Sequence, residues 1–195
     1  MLVFGNNAAI PSTTVSSISE CQKCSEGWTL VGSMCLQVST DSKTYIEAVN
    51  QCRSIGSSLV EPRSQDENDA LVEFIKTTKG DWCQGCDWWI GVNDKNEEKL
   101  FVYESSGKEV AFTRWRSLEP NNLDNEDCVE IEQWMWMWND DNCDEAQPFV
   151  CQKCSEGWTL VGTMCFQMST DSKTYIEAAN QCRSIGSCLA EPRSQ

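Results

Sequence analysis

Oxygen-bearing side chains crowd the two ends of the segment from Glu119 to Cys143, and this crowding is the strongest chemical feature of the sequence. They are Glu119, Asn121, Asn122, Asp124, Asn125, Glu126 and Asp127 at the first end and Asn139, Asp140 and Asp141 at the second. Carboxylate and amide oxygens on loops are the ligands that a hard cation such as Ca²⁺ selects. The alternative is a solvated acidic surface, and both interpretations stay open on composition alone.

The charge of the chain is strongly negative and unevenly placed. The formal net charge is −15, and residues 81–150 hold 17 Asp and Glu against 5 Lys and Arg. Because phosphate would be repelled, a nucleic-acid partner is excluded. The acidic region is either a solubilising surface or a cation-binding region whose charge the bound ion partly neutralises.

Thirteen cysteines and no histidine occur among the 195 residues. This composition predicts disulfides formed in an oxidising compartment, and hence a secreted, extracellular protein. Without histidine the usual general acid or base and the usual nitrogen ligand for zinc are missing. Pairs of carboxylates could serve a glycosidase, but here they fit metal coordination better. We therefore predict that the chain is not an enzyme and that it has no catalytic residues.

No segment approaches 18 apolar residues, so the sequence predicts no membrane insertion. Residues 1–20 form a short apolar stretch broken by Gly5, Asn6 and Asn7, with no preceding basic residue. This is a poor signal peptide. We interpret residues 1–20 as a leader, either a clipped signal or a disordered segment.

A long internal repeat organises the chain. Residues 21–65 return as residues 151–195, with 39 of 45 positions identical. The offset has the size of a domain, which predicts a complete domain over 21–151 and the truncated N-terminal part of a second copy over 152–195. We expect a fragment of a tandem array, in which the second copy is marginally stable or exchanges into another molecule to form an oligomer.

Local patterns predict a hairpin and two helices at the start of the complete domain. Residues 24–40 alternate apolar and polar positions around glycines, as a hairpin does. Capping boxes at Thr44–Glu47 and Ser64–Glu67 predict the helix starts, and Gly56 and Gly80 the ends. The residues expected to point inward are Ala48, Cys52 and Ile55 from the first helix and Leu71, Phe74 and Ile75 from the second.

Short strand patterns follow the helices. The predicted strands are Trp88–Val92, Phe101–Tyr103, Val129–Ile131, Trp134–Trp138 and Pro148–Val150. Two early helices followed by short strands and long polar loops predict an α+β fold.

Two further patterns have alternative interpretations. Trp134, Trp136 and Trp138 recur with period 2, which predicts one strand face packed in the core, although a tryptophan at a rim can also stack on a sugar ring. Cys83-Gln84-Gly85-Cys86 resembles a redox motif or half of a zinc site, but neither the βαβ context nor further ligands are visible. We predict a local disulfide between Cys83 and Cys86.

Residues 24–151 resemble the C-type lectin-like domain in its long form, with many sequence signposts in order. These are Cys24, Gly27-Trp28, Cys35, Cys52, Gly56, Leu59, Trp89-Ile90-Gly91, Phe101, Tyr103, Trp115, Glu119-Pro120-Asn121, Glu126-Asp127-Cys128, Trp138-Asn139-Asp140, Cys143 and Phe149-Val150-Cys151. The resemblance implies a C-type lectin fold, with two helices, short antiparallel strands and a long disulfide-tied loop region that binds calcium. One departure is the segment from Cys128 to Asn139, which is slightly longer than in many relatives.

The resemblance also implies which cysteines pair. The implied disulfides are Cys24–Cys35, Cys52–Cys151 and Cys128–Cys143, with Cys154–Cys165 in the second copy. Cys21, Cys182 and Cys188 remain without assigned partners.

Two calcium sites are implied by the resemblance. The main site would use Glu119, Asn121, Glu126, Asn139 and Asp140, which would also hydrogen-bond two adjacent sugar hydroxyls. An auxiliary site would use Asp94, Glu98, Asn122 and Asp127. In the family Pro120 follows a cis peptide bond, which would turn Glu119 and Asn121 toward the same ion.

Glu-Pro-Asn in this position goes with mannose, fucose and N-acetylglucosamine in the family. The resemblance therefore implies a secreted, calcium-dependent lectin module whose partners are glycans or glycoproteins, with a role in glycan or pathogen recognition. Tandem copies would raise its avidity. The alternative is a non-enzymatic module of the same fold that binds proteins, minerals or ice.

Overall fold

A computed structural model describes residues 24–32, 34–80, 83–154, 159–161, 164–166 and 172–184. Residues Cys24–Met168 form one compact unit. It contains two early helices and short antiparallel strands, so the predicted α+β fold is confirmed.

The first sheet brings together strands that lie far apart in the sequence. Strands β1 (Thr29–Val31), β2 (Met34–Val38), β3 (Ser58–Leu59) and β8 (Val150–Cys154) are arranged in the order β1-β2-β8-β3. All neighbouring strands are antiparallel. The predicted hairpin is therefore present as β1–β2, and the late strand β8 lies between elements that come early in the sequence.

Helix α1 (Tyr45–Ser54) begins at the predicted capping box. The Thr44 hydroxyl accepts from the Glu47 N–H, and the Glu47 carboxylate accepts from the Thr44 N–H at 3.1 Å. The inward positions of Ala48 and Cys52 are confirmed, but that of Ile55 is wrong, since it is 47% exposed. Ile55 is the C-cap residue, and the chain turns away from the helix at Gly56, which has a φ of 68°.

Helix α2 (Gln65–Thr78) begins at Ser64, whose side chain accepts from the Glu67 N–H. The Glu67 side chain accepts from the backbone N–H of Arg63 rather than from that of Ser64, so only half of the predicted capping box is formed. Leu71, Phe74 and Ile75 are buried as predicted. The helix therefore packs its apolar face inward while its first turn stays acidic.

The second sheet carries the long loops. Strands β4 (Trp88–Asn93), β5 (Val102–Tyr103), β6 (Cys128–Ile131) and β7 (Trp138–Asp141) follow the order β5-β4-β6-β7. Each neighbouring pair is antiparallel, and the β4–β6 register shifts between Trp89 and Asn93. Strand β7 lies at one edge of this sheet, beside the polar loop that precedes β6.

Two apolar clusters form the core. Trp88, Ile90 and Trp138 belong to a cluster that also receives the apolar face of α2. Trp89 belongs to a second cluster with Tyr45 of α1 and Phe149. Strand β4 contributes to both clusters because its successive side chains point to opposite faces and both faces are covered.

The predicted strand Trp134–Trp138 is wrong, because only Trp138 is in a strand. Residues between β6 and β7 form a turn in which the Glu132 carboxylate accepts from the Met135 N–H at 2.7 Å and Trp136 has a φ of 58°. Trp134 is 79% exposed, Trp136 stacks on Trp88 with ring centroids 5.6 Å apart, and Trp138 is buried. The three tryptophans thus occupy three environments, and the slightly longer segment in the sequence is accommodated in this turn.

Four disulfides are described. Three are the pairs that the family resemblance implies, and the fourth is the local Cys83–Cys86 bond predicted from the spacing of its cysteines. They are Cys24–Cys35, Cys52–Cys151, Cys83–Cys86 and Cys128–Cys143. Cys154 is also disulfide-bonded, but the side chain of Cys165 lies outside the described part, so their pairing stays a prediction. The predictions for residues 1–20, Cys21 and Cys188 concern parts of the chain that are likewise not described. Cys182 lies in helix α3, but its side chain is outside the described part, so its pairing also stays open.

The second copy repeats the local structure of the first in its described residues. Strands β9 (Thr159–Val161) and β10 (Met164–Phe166) form an antiparallel pair. Helix α3 (Tyr175–Ser184) begins beside Thr174, which forms the same reciprocal bonds with Glu177. Tyr175 is 69% exposed, whereas its counterpart Tyr45 is fully buried. The division into a complete and a truncated domain stays a prediction.

Candidate functional site

The loop that carries Glu119 is fixed to the outer edge of strand β7. The Arg116 N–H donates to the Trp138 carbonyl at 2.8 Å, and the Trp138 N–H donates to the Arg114 carbonyl at 2.8 Å. Trp115 and Trp138 form a parallel bridge. These backbone bonds satisfy part of the open strand edge and hold the following residues against Asn139 and Asp140.

The Glu119–Pro120 peptide bond is cis, as the resemblance implies. The Asn121 amide nitrogen donates to Glu119 Oε2. Asn121 Oδ1 in turn accepts from the Leu123 N–H at 2.7 Å. The two side chains therefore lie together at the turn, on the same side of Pro120.

Asp140 connects the turn to strand β7. Its Oδ1 accepts from the Asn121 N–H at 3.1 Å, and its Oδ2 accepts from the Asn122 N–H at 2.8 Å. The side chain has no exposed surface. One buried carboxylate thus fixes two consecutive backbone amides, which places Glu119 and Asn121 beside the strand that carries Asn139.

Glu126 approaches the same turn from its far end. Its N–H donates to Asn122 Oδ1 at 2.8 Å, and its Oε2 accepts from the Leu123 N–H at 3.1 Å. Burial raises the pKa of the Glu126 carboxyl to about 7, and the negative charge of Asp140 adds to the effect. A cation would relieve this repulsion, since it favours the ionised form of both groups.

Glu119 and Asn139 share one neighbouring guanidinium group. Arg116 Nη2 donates to Glu119 Oε1, and it also donates to Asn139 Oδ1 at 3.0 Å. The Arg116 side chain is 37% exposed, whereas that of Glu119 is only 3% exposed. Two of the five predicted main-site side chains therefore contact a positive charge supplied by the protein itself.

The four predicted auxiliary residues lie in two hydrogen-bonded pairs. The Asp94 N–H donates to the Asp127 carbonyl at 3.0 Å, and the Asn122 amide nitrogen donates to Glu98 Oε2 at 2.7 Å. Asn122 also contacts the main group, because its Oδ1 accepts from Glu126 and its N–H donates to Asp140. Asn122 thus joins the main group to Glu98. Asp94 and Asp127 form a neighbouring pair, since the charges of Glu98 and Asp127 both act on Asp94.

The burial and hydrogen bonding of Asp94 indicate whether a cation fits the auxiliary group. The residue is 2% exposed, and its Oδ1 is buried without a hydrogen-bond partner. Burial raises the pKa of the Asp94 carboxyl to about 6, and the negative charges of Glu98 and Asp127 add to this. An unpaired buried carboxylate oxygen is costly, so the donor set fits a hard cation that would complete it.

The carboxylates alone do not form a preformed metal cluster. Within the described residues, no three Asp, Glu or Cys side chains converge closely enough to hold an ion by themselves. The two groups mix carboxylates with Asn amides, and Glu119 Oε1 faces Arg116. A cation would therefore have to draw the side chains of the main group closer together.

Several charged side chains beneath the site were not predicted from the sequence. Glu130 is 3% exposed, accepts from the Asn139 amide nitrogen at 3.1 Å, and has a second oxygen without a hydrogen-bond partner. Burial raises the pKa of Glu130 to about 9, and the charge of Asp87 adds to the effect. An acidic residue inside the apolar strand pattern Cys128–Ile131 was the available signal. For Arg116 the signal was a pair of basic residues, Arg114 and Arg116, directly before an acidic loop.

The chain belongs to the C-type lectin domain family. Residues 41–153 match the family described as Lectin C-type domain. Human C-type mannose receptor 2 is 30% identical over 183 residues, which cover 86% of this chain but only 12% of that receptor.

Solved structures agree with the fold. The mouse scavenger receptor C-type lectin carbohydrate-recognition domain superposes with a TM-score of 0.61 at 26% identity, covering 68% of this chain and 98% of that one. The cow carbohydrate-recognition domain of CD23, solved in the presence of a GlcNAc2Man3 oligosaccharide, gives a TM-score of 0.59 at 26% identity, covering 69% and 98%.

These relatives are described as receptors or carbohydrate-recognition domains rather than as enzymes. In the part of the chain that the structure describes, no helix is both long and apolar enough to cross a membrane.

Proposed function

We propose that this chain is a secreted lectin module that binds mannose-, fucose- or N-acetylglucosamine-type sugars in a calcium-dependent manner. The observation that carries the proposal is the contact between the Glu119-Pro120-Asn121 turn and strand β7, where the backbone N–H groups of Asn121 and Asn122 donate to Asp140. This contact assembles donors and acceptors from two distant segments at the protein surface.

Calcium would be held by the two groups of side chains described above. The main set is Glu119, Asn121, Glu126, Asn139 and Asp140, and the auxiliary set is Asp94, Glu98, Asn122 and Asp127. Ca²⁺ takes six to eight oxygen ligands, so five protein side chains leave room for two hydroxyl groups of a sugar. When bound, the ion would supply direct coordination of those hydroxyls.

The protein side chains would orient the sugar through hydrogen bonds. Carboxylates such as Glu119 and Glu126 accept the hydroxyl protons, and amides such as Asn121 and Asn139 donate to the hydroxyl oxygens. Two hydroxyls held by alternating acceptors and donors require a fixed spacing and direction. Adjacent equatorial hydroxyls, as in mannose, meet this requirement.

The relatives support this proposal for the lectin module alone, since this chain matches only 12% of the length of the mannose receptor. The named relatives include a mannose receptor and a domain solved with a mannose-containing oligosaccharide. The described disulfides support an extracellular location, because such bonds persist in oxidising compartments. Glycans or glycoproteins are the proposed partners, and tandem copies would raise the avidity for them.

Retention on mannan resin tests the proposal directly. The chain is expected to bind in millimolar Ca²⁺, to elute with EDTA and to bind again when Ca²⁺ is restored. Unmodified resin is the control for non-specific adsorption by the acidic surface. A folded chain that flows through in Ca²⁺ would overturn the proposal and direct attention to protein, mineral or ice surfaces.

The double substitution Glu119→Gln with Asn121→Asp is expected to move the sugar preference toward galactose. It exchanges a carboxylate and an amide across Pro120 and so reverses the order of acceptor and donor. The net charge is unchanged, so the calcium affinity is expected to stay within about fivefold, or about 1 kcal/mol. Competition for the resin by mannose and by galactose measures the change. Unaltered mannose preference would show that the turn does not select the sugar.

A further inference from the structure

We infer that Arg116 is a built-in counter-ion that competes with calcium for Glu119 and Asn139, and that it releases them by turning to Glu132. The inference rests on the proposed calcium site. It assigns to Arg116 the role of setting how much calcium the module needs before it binds sugar.

The guanidinium group of Arg116 contacts two of the side chains proposed as calcium ligands. Arg116 Nη2 donates to Glu119 Oε1 and to Asn139 Oδ1 at 3.0 Å. These oxygens belong to the donor set proposed for the ion, and a guanidinium and a divalent cation cannot both occupy the space between them. In the absence of calcium the arginine neutralises charge that would otherwise destabilise the fold.

The backbone of Arg116 is held in place, whereas its guanidinium group is not part of the backbone contacts. The Arg116 backbone is fixed at both polar groups, because its N–H donates to Trp138 at 2.8 Å and its carbonyl accepts from the Glu119 N–H at 3.1 Å. The side chain is nevertheless 37% exposed, and its Nε is buried without a hydrogen-bond partner. Because the backbone bonds hold the loop, the guanidinium group can reorient while the loop stays in place. The unpaired Nε gains a partner if that movement brings it closer to a carboxylate.

A second carboxylate, that of Glu132, lies near the Arg116 side chain. Glu132 Oε2 lies 3.8 Å from Arg116 Nε, close enough for an ion pair but too far for a good hydrogen bond. Its other oxygen is already used by the Met135 N–H at 2.7 Å. A small rotation that moves Nη2 away from Glu119 would let the guanidinium bind Glu132 in full, so Arg116 stays paired in both states.

The test compares calcium binding of the wild type with that of Arg116→Gln by calorimetry, with the metal alone and no sugar. Losing a charge-assisted competitor is expected to tighten calcium binding roughly tenfold. Arg114→Gln is the matched control, since it removes an exposed charge two residues away and is expected to change the affinity less than about twofold. If calcium affinity rises equally in Arg116→Gln and Arg114→Gln, the change in net charge explains the result and the inference is overturned.

Glu132→Gln tests the second position of the arginine. In the wild-type background it is expected to weaken calcium binding at least threefold, because Arg116 loses its alternative partner. In the Arg116→Gln background it is expected to change the affinity less than about twofold, since the two residues act as a pair. Equal effects in both backgrounds would overturn the role of Glu132.

Thermal unfolding provides a readout that does not depend on sugar. In EDTA, the melting temperature of Arg116→Gln is expected to be lower than that of the wild type. Calcium is expected to raise the melting temperature of Arg116→Gln by more than it raises that of the wild type. If Arg116→Gln does not fold, Arg116→Lys replaces it in both measurements. Calcium binding by Arg116→Lys is expected to be tighter than in the wild type, but by a smaller factor than for Arg116→Gln. The reason is that an ammonium group competes for Glu119 and Asn139 without the two-pronged geometry of a guanidinium group.

The outcomes separate this inference from the proposed function. If the wild type binds calcium and Arg116→Gln binds it no more tightly, the inference is wrong and the lectin proposal stands. If only Arg116→Gln binds calcium, the inference holds and the wild type is locked by its own arginine. If neither folded protein binds calcium, both are overturned.

Discussion

Replacing Asp140 by asparagine is expected to abolish calcium-dependent retention on mannan while leaving the domain folded. Both oxygens of Asp140 accept backbone N–H groups, from Asn121 at 3.1 Å and from Asn122 at 2.8 Å. An asparagine presents one acceptor and one donor, so one of these N–H groups would face another donor without a partner. The substitution also removes a carboxylate from the proposed calcium ligands.

The expected loss is at least 100-fold in calcium affinity. A hydrogen bond to a charged group contributes about 1.5–3 kcal/mol, and about 2.7 kcal/mol corresponds to a factor of 100. Calorimetric titration with Ca²⁺ measures this directly, and mannan retention at fixed Ca²⁺ reports the consequence for sugar binding.

Asp141→Asn is the matched control for this prediction. Asp141 is the next residue of β7 and only half-buried, and its Oδ1 accepts from the adjacent Asn142 N–H at 2.8 Å. The control removes the same charge from the same strand, and it is expected to change the calcium affinity less than about threefold. Equal effects of the two substitutions, with near-ultraviolet circular dichroism confirming folded proteins, would contradict the specific role of Asp140.

Sequence reasoning predicted well those features that local chemistry determines. The Thr44–Glu47 capping box needs only residues three apart, and it forms as expected at the start of α1. The inward face of α2 follows from a 3.6-residue period, and Leu71, Phe74 and Ile75 are buried accordingly. The Cys83–Cys86 pair likewise followed from local spacing. The other three described disulfides and the cis bond at Pro120 came instead from the family resemblance, which carries long-range information that a single sequence lacks.

The tryptophan repeat shows where periodicity misleads. Alternating tryptophans and methionines satisfy the pattern of a strand, yet residues 134–137 form the turn between β6 and β7. The turn is fixed by the Glu132 carboxylate and by the positive φ of Trp136, which no residue-type preference indicates. The competing interaction is the β6–β7 pairing, which places Trp138 opposite Ile131 and forces the chain to reverse before it.

The charged residues around the site could not be placed from the sequence because their partners are distant along the chain. Arg116 meets Asn139 only after the loop returns along the edge of β7, a separation of 23 residues. Glu130 becomes buried because both β4 and β7 pair with β6. Each contact depends on the assembled sheet, whereas the oxygen-bearing side chains of the loop were visible from their residue types.

Removing the Cys52–Cys151 disulfide is expected to give the largest loss of stability of any single cross-link in the domain. The bond joins α1 to β8 across a sequence separation of 99 residues. In the chain-entropy model, a loop of about 100 residues contributes about 4.7 kcal/mol by restricting the unfolded chain. The double substitution Cys52→Ala with Cys151→Ala is therefore expected to lower the free energy of unfolding by about 4–5 kcal/mol, as measured by urea denaturation.

Cys83→Ala with Cys86→Ala is the control, since that bond closes a separation of only 3 residues. The same model gives about 2 kcal/mol for so short a loop, less than half the loss expected for Cys52–Cys151. None of these four cysteines is among the proposed calcium ligands, so both variants are expected to keep wild-type calcium affinity at temperatures where they are folded. A larger loss from the short loop would show that strain or packing, rather than chain entropy, governs these bonds. Lost calcium binding in folded protein would instead show that the α1–β8 connection shapes the loop carrying Glu119.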